Sequence, residues 1–116
     1  MKARLLVIDD EAMVRESMVA YLEDSGYQVV AVNSGHAGLE VLEQQDIDLI
    51  LCDLRMPNLD GLEVLKQVKQ RNHQTPFIVV SGAGVMDDVV QALRLGASDY
   101  LVKPIPFPRF MKAVNR

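Results

Sequence analysis

Five short apolar runs punctuate the chain: LLVI (5–8), QVVAV (28–32), LILC (49–52), FIVV (77–80) and YLV (100–102). They are rich in β-branched residues and mostly continuous. That pattern predicts parallel strands covered by helices on both faces. The segments between them carry helical spacing. Over 12–25, Val14, Met18, Tyr21 and Leu22 share one side, and Gly26 supplies a stop. Over 35–45, Leu39 and Leu42 form a weaker stripe. Over 61–72, Gly61, Val64, Leu65 and Val68 follow the i, i+3, i+4, i+7 rule. Over 87–95, Asp87 and Asp88 suit the positive end of a helix and Gly96 its stop. A last helix is predicted from near Pro108, with Phe110, Met111 and Val114 inward.

Strand followed by helix, five times over, predicts an α/β, doubly wound five-stranded parallel sheet with right-handed crossovers. In such folds a site lies at the carboxyl ends of the strands, near the topological switch point.

Composition narrows the function without naming it. A chain of 116 residues suits one domain with a real core. Its net charge of −4 argues against direct binding to a nucleic-acid backbone, whose footprint is basic. Cys52 is the lone cysteine, so no internal disulfide forms and a reducing cytoplasm is the expected compartment. The apolar run in MKARLLVID stops at Asp9, too short for a secretory signal, and no apolar stretch is long enough to span a membrane.

The residues at the strand ends carry the chemistry. They are Asp9 and Asp10 after the first strand, Asn33 and Ser34 after the second, and Asp53 after the third. Ser81 follows the fourth, and Lys103 with Pro104 the fifth. Three ionised carboxylates on one edge repel one another, and a cation relieves that repulsion. Hard oxygen donors suit Mg²⁺, which often shares a phosphate oxygen. Lys103 can grip a phosphoryl group as a point charge, and Ser81 can donate to one. These parts suit phosphoryl transfer to a carboxylate. Taken singly, each has a plainer reading: Asp9 or Asp10 as a helix cap, Asp53 as an Asx-turn residue, Ser81 as a turn residue, Lys103 as a solvated charge. The ordered combination is what chance rarely supplies.

VIDDE, LCDLRMPNLDG, IVVSGA and GASDYLVKPI, each after its own predicted strand, resemble a receiver domain of a two-component response regulator over roughly 4–110. The resemblance implies a flavodoxin-like (βα)5 fold with strand order 2-1-3-4-5. It implies Asp53 as phosphoacceptor, and Mg²⁺ or Mn²⁺ held by Asp9, Asp10, Asp53 and the backbone carbonyl of Arg55. Ser81 matches the switch hydroxyl, Tyr100 the switch aromatic and Lys103 the site lysine. Pro104 is expected to follow a cis bond, and Gly61 is a structural position. The implied phosphoryl donor is a histidine kinase or phosphotransfer protein. The implied output is a C-terminal effector domain or partner, with dimerisation through the fourth helix, fifth strand and fifth helix. The whole chain, 1–116, then reads as one receiver domain at the start of a longer regulator. QTP before the fourth strand and ALRLGASDYLVKP after it resemble more closely the RssB type of regulator, which controls a stress sigma factor.

Two rival readings stand beside this one. A Mg²⁺-dependent phosphatase of haloacid dehalogenase type needs a D-x-D signature, whereas Arg55 stands two residues after Asp53. A receiver used only as an interaction module would lack an acid, the lysine or the acceptor, and none is missing. Elsewhere plainer roles are expected. Glu11 is a first-turn helix residue outside the chemistry. Cys52 is a core thiol, and Met13, Met18 and Met56 are packing or turn residues. His36 and His73 have surface or helix-end roles. Arg55 and Ala83 flank the expected pocket and tune water access or lie on the surface. The glycines of SGAGV suit a loop that rearranges.

Overall fold

The computed structural model describes residues 3–71, 74–82 and 84–116. Five parallel strands form one sheet in the flavodoxin-like order β2-β1-β3-β4-β5: β1 (Arg4–Ile8), β2 (Gln28–Val32), β3 (Leu49–Asp53), β4 (Phe77–Ser81) and β5 (Asp99–Val102). The continuous apolar runs end up where their composition demands. β1, β3 and β4 are the interior strands and are almost wholly buried. QVVAV lies at an edge, so Gln28 and Ala31 reach solvent.

Side chains alternate across each strand and so feed two separate cores. Leu6, Ile8, Ile50, Cys52, Phe77 and Val79 point to the face covered by α2 (Gly35–Gln44), α3 (Gly61–Gln70) and α4 (Met86–Arg94). Leu5, Val7, Leu51, Ile78 and Val80 point to the face covered by α1 (Ala12–Asp24) and α5 (Phe107–Val114). Gly26 and Gly96 follow α1 and α4 with φ of 93° and 108°. Ser34 Oγ caps α2 by accepting from the Ala37 N–H at 3.2 Å, and Asp60 Oδ1 caps α3 by accepting from the Glu63 N–H at 2.9 Å.

Several boundaries differ from the sequence reading. Asp53 and Ser81 are the last residues of their strands, because the ladder to the neighbouring strand still pairs them. α3 closes at Gln70, and position 72 lies outside the described residues. In α5 the buried positions are Phe110 and Ala113, while Met111 and Val114 are only half-buried. Phe110 is fixed by Tyr21, edge-on at 5.7 Å between ring centroids, so the three-residue step from Phe110 to Ala113 defines the inner face. Met18 and Met56 are buried, but Met13 is 82% exposed, because the buried side of α1 runs through Met18 and Leu22.

Candidate functional site

The register of β1 against β3 pairs Ile8 with Cys52, so the next residues, Asp9 and Asp53, stand side by side at the carboxyl edge of the sheet. Both are buried, at 0% and 3% exposure, whereas Asp10 is exposed. Asp9, Asp10 and Asp53 each offer a carboxylate oxygen, and the three lie within 4.8 Å of one another. Asp9 has two jobs. Its Oδ1 accepts from the Glu11 N–H at 2.9 Å, which shapes the turn into α1. Arg15 Nη1 donates to the Asp9 carbonyl at 2.8 Å and fixes the same turn. Asp9 Oδ2 is buried and has no hydrogen-bond partner among the described residues. A buried carboxylate oxygen without a partner is costly, and an oxygen-seeking divalent cation would satisfy it. The donor set therefore fits such a cation.

Lys103 follows β5, and its backbone N–H donates to the Ser81 carbonyl at 2.7 Å. The Lys103–Pro104 peptide bond is cis. Its ammonium reaches back over the acids: Nζ lies 3.3 Å from Asp53 Oδ2, 3.3 Å from Asp9 Oδ2 and 2.9 Å from Glu11 Oε1. Glu11 is thus part of the charge cluster, contrary to the sequence expectation. The partner that draws it in sits 92 residues away, and no local pattern announces that.

Burial and the neighbouring Asp9 charge push Asp53 up to about 6, against the pull of Lys103. Burial also raises Asp9, more than the Glu11 N–H and Lys103 lower it. Burial works to lower Lys103, but the hydrogen bond to Glu11 and the charges of Asp53 and Asp9 outweigh it and hold the ammonium firmly protonated. At neutral pH Asp53 is therefore largely ionised, and it faces one cation.

Ser81 is buried, and its Oγ also has no hydrogen-bond partner among the described residues. Val79 pairs with Tyr100, so strand alternation puts Ser81 and Tyr100 toward the α4 side of the sheet. Tyr100 is half-buried against the core of that face. Arg55 is exposed and paired. Its Nε and Nη2 contact Asp88 Oδ2 at 3.2 and 3.1 Å, tying the loop after β3 to the first turn of α4. Gly61 is required by packing: a Cβ there would meet the Asp53 carbonyl oxygen and come within 2.8 Å of Leu54 Cα.

The remaining candidates stay apart from the site. His36 is exposed on α2. Cys52 is fully buried, and burial followed by the Asp53 charge pushes its thiol well up. His73 and Ala83 lie outside the described residues, and with Ala83 the centre of the SGAGV loop. Among the described residues no helix is long and apolar enough to cross a membrane.

The family model described as "Response regulator receiver domain" matches residues 5–115. The transcriptional regulatory protein ZraR of Klebsiella oxytoca is 38% identical over 111 residues, covering 96% of this chain and 25% of that protein. The transcriptional regulatory protein MalR of Bacillus subtilis is 38% identical over 113 residues, covering 96% of this chain and 48% of that protein. The chain thus spans a quarter to a half of the length of these relatives. Among solved structures, a response regulator receiver domain protein from Clostridium thermocellum superposes with a TM-score of 0.91 at 32% identity, covering 97% of this chain and 91% of that one. The RssB-type likeness expected from QTP and ALRLGASDYLVKP is not supported by these relatives.

Proposed function

The chain belongs to the response regulator receiver domain family, and on that footing we propose that it is a phosphorylation-activated switch whose acceptor is Asp53. The observation that carries this reading is the convergence of Asp9, Asp53 and Lys103 at the carboxyl edge of the sheet, with Asp9 Oδ2 left without a hydrogen bond.

The donor is the phosphohistidine of a histidine kinase or phosphotransfer protein. An Asp53 carboxylate oxygen attacks phosphorus in line, the P–N bond breaks, and the imidazole leaves with the bonding pair. Even raised to about 6, Asp53 is largely ionised at neutral pH and needs no separate base. Asp9, Asp10, Asp53 and the Arg55 backbone carbonyl would hold Mg²⁺ or Mn²⁺, which when bound supplies charge neutralisation at the phosphoryl oxygens. Lys103 donates to another of those oxygens. The added negative charge gives the buried Ser81 hydroxyl a partner. Movement of Ser81 toward it leaves room on the α4 side for Tyr100 to turn inward, biasing a two-state surface formed by α4, β5 and α5.

That surface carries apolar side chains suited to a dimer or an output partner: Met86, Val90 and Leu93 at helical spacing on α4, and Val102 on β5. The output is transcriptional control through a C-terminal effector domain, in a cytoplasmic protein; control of a sigma factor is the narrower alternative, resting on two sequence segments alone. Turnover as a phosphatase is disfavoured, because the residue two after Asp53 is an arginine engaged by Asp88 rather than a general acid. Incubation with acetyl phosphate and Mg²⁺ should add one phosphoryl group to the protein by intact mass, and Asp53→Asn should abolish it. Labelling that persists in the variant overturns the acceptor assignment.

A further inference from the structure

Glu11 occupies the N-cap position of α1, yet its side chain caps nothing; Asp9 Oδ1 holds that turn instead. The Glu11 carboxylate turns the other way and makes the shortest of the three contacts to Lys103 Nζ. The two partners differ in freedom. The Lys103 side chain is 16% exposed and the Glu11 side chain 60%. Glu11 is therefore the member that can release and rebind. An ammonium has three protons. Here Lys103 hydrogen-bonds Glu11 and Asp53 and also lies 3.3 Å from Asp9 Oδ2.

We propose that Glu11 is a positioning residue for Lys103: it holds the ammonium at the outer edge of the acid cluster and offsets its charge. It thereby strengthens the cluster's hold on a divalent cation and slows the approach of an anionic phosphoryl donor. The proposal rests on the phosphoacceptor reading of Asp53. Without the Glu11 charge the ammonium is drawn inward toward Asp9 Oδ2 and Asp53, where it competes with the cation. The site as a whole becomes less negative, which favours an anionic donor, and Lys103 is free to meet a phosphoryl oxygen. Cation affinity and donor rate thus move in opposite directions. A residue that only supported the start of α1 would lower both.

The test uses Glu11→Gln and Glu11→Asp. Calorimetry with Mg²⁺ alone should show Glu11→Gln binding roughly two- to fivefold more weakly, the range expected for an exposed charge pair. Phosphorylation by acetyl phosphate at saturating Mg²⁺ should become faster in the same variant. Glu11→Asp keeps the charge with a shorter reach and should fall between wild type and Glu11→Gln in both. Unchanged Mg²⁺ affinity in Glu11→Gln overturns the proposal, as does a parallel loss of affinity and rate. If wild type takes no phosphoryl group while the Mg²⁺ affinities separate as stated, the acceptor reading fails and the hold of Glu11 on Lys103 is supported.

Discussion

Lys103 Nζ lies 3.3 Å from Asp9 Oδ2, an ion pair that does not outweigh the burial of this deepest acid of the cluster. Replacing that oxygen should therefore cost cation binding without costing the fold. Asp9→Asn is expected to keep the hydrogen bond to the Glu11 N–H through its amide oxygen and to retain wild-type stability or exceed it. Mg²⁺ affinity should fall by at least tenfold. Calorimetry beside urea denaturation separates the two effects; wild-type Mg²⁺ affinity in Asp9→Asn would remove Asp9 from the ligand set.

Asp53 is raised to about 6, so its ionised form is penalised in the folded state. Asp53→Asn should then stabilise the cation-free domain at neutral pH by about 1–3 kcal/mol. Urea midpoints in the presence of a chelator measure this. A destabilised variant would mean that the Lys103 contact outweighs burial and the Asp9 charge.

The same group sets a pH dependence whose sign is fixed. Its folded value lies above its ordinary value of 3.8, so the folded state holds the proton more tightly. Its favourable contribution is complete below 3.8 and is lost as pH rises through about 6. Cation binding runs the other way, since it needs the carboxylate. Below about 6, Mg²⁺ affinity should fall by up to tenfold per pH unit, tracked by calorimetry between neutral and mildly acidic buffers. Asp53→Asn should flatten the stability slope in that window, leaving the part that the raised Asp9 contributes.

Gly61 packs its Cα against the backbone that delivers Asp53. Gly61→Ala forces that backbone or the start of α3 to shift, at about 1–3 kcal/mol for overpacking. Thermal melts should show the loss, and phosphorylation should slow because the acceptor itself moves. Wild-type behaviour in both would show that the loop yields more easily than its contacts imply.

Most of the fold was legible because the apolar runs are continuous and five times repeated, and LLVI and FIVV fall on interior strands as such runs should. The acids were legible for a related reason. A buried strand that ends in charge has few plain explanations, and Asp9, Asp53, Ser81 and Lys103 each end or follow one. Glu11 and Arg55 were not legible, because their partners Lys103 and Asp88 are remote in sequence and ion pairs leave no periodic trace. The Asp60 cap was readable from Asp60-x-x-Glu63, a spacing that resembles a capping box. In α5, Phe110, Met111 and Val114 pack on the core as their spacing suggests, and only the small Ala113 was passed over, because an alanine gives a weak signal in so short a helix.

The charge cluster draws Asp9 from the first strand, Asp53 from the middle one and Lys103 from just past the last. A growing chain that has docked only β1 to β4 brings two buried acids together with no ammonium to face them. The sheet becomes electrically tolerable when β5 arrives on its far edge. The site is therefore complete only with the last strand in place on the edge of the sheet.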